Sequence, residues 1–490
     1  MNRDIIKKMA VQIIASLSEQ EVEKLLLPVL KGTEFANKTY AVGGYVRDQY
    51  LGKDAKDLDI VVEMDGGAKK LTNHLKDLFG DSVSTPRQMG AGYPIWQITF
   101  KDDITHDKIK YKTQGAVIEF ADTMKENFPD EESRQRETEY GTLKDDIERR
   151  DFTVNMLLKD LTTGEVKDLT GVSKSDLNKG ILRGHPKVSL DKIFSNDPLR
   201  MIRLVRFQAK YGWEIPKSVL RTVMRNAERI EIVSAERIME ELKKLMVLGK
   251  LDVGIKLMKI TGLLKYVLPE IDELRGVMQS SDYHGEGDVF NHTMLVLKGA
   301  QPTVEDQLAA LLHDVGKKEV QTFLGDKIHF YGHEDVGAQI AKAILKRLKF
   351  DNKTIDDVSK RIKFHMKPLL LSEAKEKGLK KFIRTVGDDM VDAILALAEA
   401  DVKGRIPQRG VDIEELKNKI EQIRKSPIKM KEKPILDGNE IMKIFKLKQS
   451  PKIREIKDYL LKVEDDYASD EKVLTKDDAI KAIKTKFKLN

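Results

Sequence analysis

The sequence has no cysteine among its 490 residues, so disulfide bonds, thiolate zinc sites and cysteine nucleophiles are excluded. It also has no hydrophobic run long enough to cross a bilayer, and its first residues, MNRD, do not begin a secretory signal. Neither sign of charge dominates, because 87 basic and 80 acidic residues leave a net charge of only +7. Binding to a polyanion is therefore allowed but not required. We expect a cytoplasmic protein with no membrane contact.

The composition is that of a soluble globular protein with several domains, since 40% of the residues are hydrophobic and 34% are charged. Helical spacing predicts two amphipathic helices over residues 1–36, packed on the outside of the first domain. Apolar positions mark the first at Ile5, Ile6, Met9 and Ile13 and the second at Val22, Leu25, Leu26 and Val29. Further along, the pattern predicts a helix over 68–79, strands over 93–100 and 115–120, and loops over 125–141.

The most informative stretch runs from Tyr40 to Glu63. A short apolar strand ends in Gly43-Gly44, and this turn opens into a helix. Glycines let the backbone approach a ligand closely, and a helix start offers N–H groups to phosphate. The next strand contains Asp57 and Asp59, and alternation along a strand predicts that both carboxylates share one face. Adjacent carboxylates repel each other unless a cation lies between them, and Mg²⁺ is the natural ion to bridge carboxylates and nucleotide phosphates. A surface turn with a solvated acidic pair is the alternative.

The pattern GG-x-V-R-D followed by D-x-D resembles that of the class II template-independent nucleotidyltransferases, the CCA-adding enzymes and bacterial poly(A) polymerases. The resemblance implies an α+β protein, with a mixed-sheet, polymerase-β-like nucleotidyltransferase head followed by an all-helical neck, body and tail. It also implies that Asp57 and Asp59 are the catalytic residues that bind Mg²⁺. Gly43, Gly44 and Arg47 would then contact the nucleotide.

Residues 146–155, DIERRDFTVN, provide a second match to the same family, whose motif is D-x-x-R-R-D-F-T-x-N. Adjacent arginines between carboxylates usually form only surface ion pairs. Here Arg149 can hold triphosphate oxygens in bidentate fashion. Asp151 and Asn155 can hydrogen-bond ribose hydroxyls, which the resemblance also implies.

Residues 196–207, NDPLRMIRLVRF, predict a helix with Asp197 as its N-cap. Arg200, Arg203 and Arg206 recur every third residue and therefore lie along one stripe of that helix. Such a stripe is usually a solvated face. In this context it resembles the helix with which the family reads the nucleobase.

Base selection without a template has a simple chemical basis. Cytosine and adenine each present an amino donor beside a ring-nitrogen acceptor, so a carboxylate and an arginine satisfy both. Uracil and guanine would leave the carboxylate unpaired. We therefore expect Asp197 and Arg200 to read the base, with Arg203 and Arg206 facing phosphate or ribose. Asn196 departs from the family, which normally has glutamate at that position.

A second chemistry is indicated downstream, where six of the nine histidines fall between residues 284 and 365. The adjacent His313 and Asp314, expected on an apolar helix, are costly to bury unless they bind a metal or polar partners. A lone histidine at such a position is more often a satisfied core residue. The spacing here resembles the HD phosphohydrolase superfamily.

By that resemblance one metal is held by four ligands, and a second could be supported by two more histidines. The expected ligands of the first metal are His292, His313, Asp314 and Asp401, and those of the second are His333 and His365. A transition ion such as Ni²⁺, Co²⁺, Mn²⁺ or Fe²⁺ suits these ligands and would activate water for attack on phosphate. The alternative is a metal-free helical body that binds RNA.

The last part of the chain, from about Lys417, is rich in lysine and resembles the C-terminal RNA-contacting module of bacterial CCA-adding enzymes, although Lys452 stands where glycine is common. A solvated lysine-rich helix is the alternative for residues 472–490. The expected division is N-terminal helices over 1–36, nucleotidyltransferase head over 37–183, helical neck over 184–280, HD domain over 281–410 and RNA-contacting tail over 411–490.

The sequence therefore predicts an enzyme that adds CCA to the 3′ end of tRNA from CTP and ATP, with no protein partner implied and with a second phosphohydrolase activity on 2′,3′-cyclic phosphates or phosphomonoesters. Within this class, a poly(A) polymerase or an enzyme that adds only part of CCA is the alternative. From other classes, the alternatives are an RNA-repair phosphohydrolase with a degenerate head and a non-catalytic RNA-binding protein.

Overall fold

The structure, a computed structural model, describes residues 3–89, 94–127, 137–279, 285, 287–325, 327–371, 373–407, 411–425, 435–469 and 474–489. The chain forms two compact units. The first consists of Met1–Leu245 and Val253–Val267, and the second of Met246–Asp252 and Leu268–Asn490. Within the described ranges, no helix combines the length and the hydrophobicity needed to span a membrane.

The first unit is built on a mixed sheet with two additional hairpins. Its strands are β1 (Thr39–Val42), β2 (Asp59–Val62), β3 (Arg87–Met89), β4 (Ile95–Thr99), β5 (Ile104–His106), β6 (Ile109–Tyr111), β7 (Val117–Asp122), β8 (Met124–Asn127), β9 (Glu137–Tyr140), β10 (Leu157–Asp160) and β11 (Val166–Asp168). The sheet has seven strands in the order β11-β10-β1-β2-β7-β4-β3, while β5–β6 and β8–β9 pair separately.

The register of the sheet brings the glycine turn to the acidic strand. β1 and β2 are antiparallel with Val42 opposite Asp59, and β2 and β7 are parallel with Asp59 opposite Glu119. In an antiparallel pair the end of one strand lies beside the start of the other. The turn at Gly43, directly after β1, therefore begins next to Asp59.

The helices of the first unit precede, connect and follow these strands in the chain. They are α1 (Arg3–Leu30), α2 (Gly44–Tyr50), α3 (Gly67–Phe79), α4 (Leu143–Glu148), α5 (Ser173–Lys179), α6 (Leu190–Asn196), α7 (Leu199–Tyr211), α8 (Lys217–Asn226), α9 (Ala235–Val247), α10 (Leu251–Ile260) and α11 (Leu264–Val267). Helices α9 and α10 each extend by two residues into the second unit.

Most of the predicted elements are confirmed, with two corrections. The helix over 68–79 corresponds to α3, and the strands over 93–100 and 115–120 correspond to β4 and β7, with Tyr93 outside the described residues. The prediction of two N-terminal helices is wrong, because α1 is one helix in which Pro28 falls in the last turn. Its buried residues Val22, Leu25, Leu26 and Val29 do follow the predicted spacing.

The second correction concerns the stretch predicted as loops over 125–141. Its two ends form the β8–β9 hairpin, in which Glu126 is opposite Thr138. The hydroxyl of Thr123, just before β8, donates to the Gly141 carbonyl at 2.6 Å and ties the two ends together. The alternating threonine and tyrosine of β9 favour a strand despite the charged neighbours. Residues 128–136 lie outside the described residues.

The second unit is mainly helical. Its elements are α12 (Pro269–Asp272), α13 (Val289–Gly299), α14 (Val304–Leu312), α15 (Lys317–Val320), β12 (Thr322–Leu324), β13 (Lys327–His329), α16 (His333–Arg347), α17 (Asn352–Phe364), α18 (Glu376–Val386), α19 (Asp388–Lys403), α20 (Ile413–Lys425), α21 (Gly438–Ile444), α22 (Pro451–Ser469) and α23 (Lys476–Phe487). Apolar residues of α18, α19 and α20 form one buried cluster, and those of α21, α22 and α23 form another.

Candidate active site and metal centre

The glycine turn lies at a cavity of about 910 Å³ in the first unit. Gly43 has a φ of +72°, which residues with side chains rarely adopt. A Cβ atom added at this position would lie 3.7 Å from Nη1 of Arg150 and 4.0 Å from Oδ2 of Asp59. The backbone at Gly43 therefore lies close to the Arg150 guanidinium and the Asp59 carboxylate. Because glycine has no side chain, a ligand can approach the backbone here.

Both expected catalytic carboxylates line this cavity, but they do not share a strand. β2 begins at Asp59, and Asp57 precedes it with a φ of +62°, so the predicted alternation along one strand is wrong here. Desolvation by the surrounding protein raises the pKa of Asp59 to about 6 although its side chain faces the open cavity. Arg150 opposes this rise, and Glu119 and Asp57 add to it. The negative charge of Asp57 and Asp59 is only partly neutralised by Arg150, and such a carboxylate pair fits the ligand preference of Mg²⁺.

The carboxylate of Asp146 orients two arginines at the cavity. Its Oδ1 atom lies 2.6 Å from Nη2 of Arg149 and its Oδ2 atom lies 2.8 Å from Nη2 of Arg150. Burial opposes ionisation of Asp146, but the two guanidinium groups outweigh it and hold its pKa below the ordinary value. Sequence reasoning missed Arg150 and the role of Asp146, although the i, i+3 and i, i+4 spacing from a helical carboxylate was an available signal.

The residues expected to contact ribose form a chain of hydrogen bonds. Asp151 accepts two bonds from Arg203, at 2.6 and 2.9 Å, and a third from Asn155 at 2.9 Å. Asn155 in turn accepts a bond from Arg47 at 2.7 Å. Burial alone would raise the pKa of Asp151, but Arg203 and Asn155 bring it to about 2. The four side chains thus hold one another in place along one wall of the cavity.

An aromatic surface adjoins this chain. The guanidinium carbon of Arg47 lies 5.5 Å from the ring centre of Phe207 and 5.3 Å from that of Tyr211, within the range of cation–π contacts. Both rings line the cavity. They are four residues apart on α7, on the same side as the predicted arginine stripe, and they were missed because an aromatic residue on such a helix was interpreted as core packing.

Asp197 lies between α6 and α7, at the cavity. Its Oδ1 atom accepts from the backbone N–H of Leu199 at 3.3 Å, but the N-cap of α7 is Pro198, so the prediction of Asp197 as the N-cap is wrong by one residue. Its Oδ2 atom lies 2.9 Å from Nη2 of Arg237, which sequence reasoning did not single out. This arginine fixes the orientation of the carboxylate expected to read the base.

The other arginines of α7 have different surroundings. Arg200 is buried and donates to the backbone carbonyls of Ile193, at 3.3 Å, and Arg149. Arg206 donates to Glu241 at 2.5 Å. Three arginines of the predicted stripe therefore line one cavity, but each is held by a different protein partner.

The second unit contains the predicted histidine cluster. α14 ends at Leu312, so His313 and Asp314 follow the helix rather than lie within it, which corrects the prediction. The last carbonyls of a helix have no backbone partner. The Ala310 carbonyl accepts a bond from Nδ1 of His313 at 2.9 Å, and this bond explains why the histidine turns inward at the helix end.

The same arrangement fixes the tautomer of three histidines. In His313, His333 and His365, Nδ1 lies 2.7–2.9 Å from the backbone carbonyl three residues earlier. Since a carbonyl only accepts, Nδ1 carries a proton in each ring, so in the neutral form of the ring Nε2 is the atom that presents a lone pair. Burial, followed by the nearby histidines, lowers the pKa of His365 to about 3, so this ring is neutral.

These lone pairs converge on Asp314. Its carboxylate oxygens lie 3.1 Å from Nε2 of His313 and 3.4 Å from Nε2 of His333, and the Nε2 atoms of His333 and His365 lie 3.3 Å apart. The ligand atoms of His292, His313 and Asp314 form one group within 4.8 Å of one another, and those of Asp314, His333 and His365 form another. Buried acceptors that face one another need a cation, and imidazoles with a carboxylate suit a transition ion.

Asp401 adjoins the cluster through His292, whose Nε2 atom lies 3.0 Å from Oδ1 of Asp401. Each acidic residue also has a basic neighbour that the sequence did not single out. Nζ of Lys317 lies 2.7 Å from Asp314, and Nη2 of Arg405 lies 2.6 Å from Asp401. Burial opposes ionisation of both carboxyls, but Lys317 beside Asp314, and Arg405 with the His292 hydrogen bond beside Asp401, hold both pKa values well below the ordinary range.

Family models match three stretches of the chain. Residues 39–183 match the poly A polymerase head domain, residues 212–275 match the probable RNA and SrmB-binding site of polymerase A, and residues 289–401 match the HD domain.

Several curated proteins are similar to the chain. The CC-adding tRNA nucleotidyltransferase of Thermus thermophilus is 31% identical, over 64% of this chain and 71% of that protein. The multifunctional CCA protein of Haemophilus influenzae is 32% identical over the same shares, 64% and 71%. The multifunctional CCA protein of Neisseria gonorrhoeae is 29% identical over 75% of this chain and 84% of that protein.

Solved structures share the fold, which confirms the predicted α+β class with a mixed-sheet head and helical body. The Bacillus stearothermophilus CCA-adding enzyme in complex with CTP has a TM-score of 0.62 at 20% identity, covering 91% of this chain and 92% of that chain. The Thermotoga maritima CCA-adding enzyme complexed with tRNA has a TM-score of 0.54 at 17% identity, covering 99% and 96%. With its poly A polymerase head and HD domain, the chain belongs to the tRNA nucleotidyltransferase family of CCA-adding proteins.

Proposed function

We propose that the chain adds CCA to the 3′ end of tRNA, with CTP and ATP as substrates. The observation that carries the proposal is the cavity of the first unit, where the Gly43 turn, the Asp57 and Asp59 carboxylates and a set of arginines face one space. Family membership supports the same activity.

The residues of the cavity divide between the two ends of the reaction. Asp57 and Asp59 would hold Mg²⁺, which when bound activates the attacking hydroxyl and neutralises the departing pyrophosphate. Arg149 and Arg150, both held by Asp146, present fixed donors to the triphosphate. The open backbone at Gly43 lets a phosphate approach closely. The tRNA 3′ oxygen then bonds to the α-phosphorus while pyrophosphate leaves.

Base choice is assigned to Asp197 and Arg200. Arg237 orients Asp197 so that one carboxylate can accept from an amino group of cytosine or adenine. Arg200 is bonded to backbone carbonyls, so its contact with a base requires that these bonds open or are shared. Arg203 and Arg206 line the same cavity and would support ribose or phosphate, as would Gly44, Arg47, Asp151 and Asn155.

The test of the transferase is incubation with tRNA lacking its 3′ end and each nucleotide separately. Full CCA addition predicts two cytidines with CTP alone and a terminal adenosine only when ATP is also present. Addition that stops after cytidine would indicate a CC-adding enzyme, and long adenosine tails would indicate a poly(A) polymerase. Asp57→Ala and Asp59→Ala should each abolish addition while tRNA binding stays nearly intact, and full activity in either variant would contradict the metal assignment.

We further propose that the HD cluster is a phosphohydrolase site for 2′,3′-cyclic phosphates or phosphomonoesters. Its support is the convergence of histidine lone pairs on Asp314. His292, His313, Asp314 and Asp401 would hold one transition ion, with His333 and His365 available for another. A bound ion of this kind supplies a nucleophilic water. Lys317 and Arg405 keep the acidic ligands ionised and oriented.

The hydrolase is tested by activity with added Ni²⁺, Co²⁺ or Mn²⁺ and by metal content after dialysis. His313→Ala should lose both bound metal and hydrolysis, while the Asp57→Ala variant should keep both. If the metal-loaded wild type shows no hydrolysis and His313→Ala changes nothing, the second unit is a scaffold. An RNA-repair phosphohydrolase with a degenerate head would show the opposite result, hydrolysis without nucleotide addition.

The remaining assignments follow from these activities. We propose that the chain works in the cytoplasm and that head (37–183), neck (184–280), HD domain (281–410) and lysine-rich tail (411–490) are its functional divisions, preceded by N-terminal helices (1–36). Helices α21, α22 and α23 share a buried core of their own, which suits a module that contacts tRNA through its surface lysines.

A further inference from the structure

Tyr331 of the second unit is unusually open for a large aromatic residue, with 79% of its surface exposed. One face of its ring is backed by the imidazole of His329, since the ring centres lie 5.1 Å apart and the planes differ by only 11°. A ring supported on one face and exposed elsewhere is the arrangement with which proteins stack nucleobases.

This aromatic pair adjoins the metal cluster along the chain. Tyr331 is two residues before His333, so their Cα atoms are at most about 7 Å apart. The intervening backbone is anchored, because the Phe330 carbonyl accepts the Nδ1–H of His333 at 2.9 Å. Nζ of Lys317 lies 5.4 Å from the Phe330 ring centre and 2.7 Å from Asp314. The exposed ring of Tyr331 is thus attached to the same anchored segment that brings His333 into the cluster.

We propose that Tyr331, backed by His329, is a base-stacking subsite that gives the HD cluster a preference for nucleotide phosphates. This inference rests on the proposed hydrolase function and adds a residue that selects among the substrates of that site. The base stacks on the exposed ring, and the phosphate at the 2′ or 3′ position reaches the cluster. Because every base has a flat apolar face, the subsite favours nucleotides over phosphate esters that lack a base, without selecting one base.

The chain offers a matched control in the neighbouring hairpin. Leu324 at the end of β12 is 74% exposed, so it is as open as Tyr331 but has no aromatic ring. Leu324→Ala removes exposed apolar surface near the same segment without removing the stacking surface. Tyr331→Trp keeps a stacking ring and should keep the preference.

The kinetic test compares 2′,3′-cyclic AMP with glycerol 2-phosphate as substrates of the Mn²⁺-loaded full chain. Tyr331→Ala should raise KM for 2′,3′-cyclic AMP by roughly tenfold, the effect of losing one stacked base, and should leave kcat nearly unchanged. KM for glycerol 2-phosphate should not change, and Leu324→Ala should change neither value.

A binding test separates this proposal from the hydrolase itself. Equilibrium dialysis with 2′-AMP, with the first unit saturated by CTP, should show roughly tenfold weaker binding to Tyr331→Ala than to wild type or Leu324→Ala. If wild type hydrolyses neither substrate but this difference persists, the hydrolase fails and the stacking subsite stands. If wild type is active and Tyr331→Ala leaves KM and 2′-AMP binding unchanged, the subsite is refuted and the hydrolase stands. Absence of 2′-AMP binding to wild type also refutes the subsite.

Discussion

Replacing Asp151 by asparagine should test whether the polar chain in the first unit is a supporting frame or a ribose-binding surface. Asp151 is buried and accepts bonds from Arg203, Asn155 and the backbone N–H of Phe152. Asp151→Asn keeps the shape of the side chain but removes its charge. Arg203 then loses its carboxylate partner.

The expected loss of stability follows from the pKa of Asp151, which is about 2 against an ordinary value of 3.8. This difference corresponds to about 2 kcal/mol in favour of the folded, ionised carboxylate. Because the pKa is lower in the folded state, the contribution is present above pH 4 or so and is lost as the pH falls toward 2. For a unit of this size we expect Tm to fall by roughly 4–8 °C at neutral pH.

The assay is thermal unfolding of Asp151→Asn, Arg203→Gln and the double variant. The unfolding transition of the second unit, which contains neither position, serves as an internal control. The coupling between the two positions should be about 2 kcal/mol. Asp191→Asn is the matched control, because Asp191 pairs with Arg225 in the same unit at 3.1 Å but both side chains are more than half exposed. Its effect should stay within about 0.5 kcal/mol.

The same variants distinguish the two roles of the chain of polar residues. A frame alone predicts that kcat/KM for ATP and dATP falls by the same factor, whereas ribose recognition by Asp151 predicts a larger loss for ATP. A coupling below about 0.5 kcal/mol would refute the claim that Arg203 and Asp151 stabilise each other.

Three further outcomes are expected. Since the pKa of Asp59 is about 6, protons compete with Mg²⁺ for its carboxylate. The affinity for Mg²⁺ measured by calorimetry should therefore weaken about tenfold per pH unit below about pH 6. Equal affinity for Mg²⁺ at about pH 7.5 and about pH 5 would contradict the assignment of Asp59 as a ligand. Arg237→Ala should lower the CTP-to-UTP ratio of kcat/KM about tenfold, because Asp197 loses its orienting partner, and an unchanged ratio would show that another group reads the base. Arg405→Ala should lower the Tm of the metal-free protein more than that of the Mn²⁺-loaded protein, because a bound cation compensates the charge of Asp401. An equal fall in Tm with and without Mn²⁺ would argue against a metal at Asp401.

Sequence patterns identified site residues that lie close to one another along the chain. The glycines at 43 and 44 mark a turn, and Asp57 and Asp59 lie close in sequence and face the same cavity. The spacing of histidines indicated the second cluster in the same way. Such signals are visible because helices, strands and turns impose fixed spacings on neighbouring residues.

The predicted bounds of strands and helices were less reliable at the ends of these elements. The sequence predicted Asp57 on a strand, but this residue has a positive φ and lies in the irregular segment before β2. His313 was assigned to a helix that ends one residue earlier, because the imidazole bonds to a carbonyl at the helix terminus. In both cases the backbone conformation at the site differs from the strand or helix that the neighbouring residues favour.

The pairing of charges depends on packing between elements that are far apart in the sequence. Arg203 and Asp151 are 52 positions apart, Arg237 and Asp197 are 40 apart, and Asp401 and His292 are 109 apart. Periodicity reports which face of an element a residue occupies, but it does not report which element packs against that face. The partners of the arginine stripe, and the cations beside Asp314 and Asp401, depend on that packing, because an ion pair forms only between groups that the fold brings within a few ångströms.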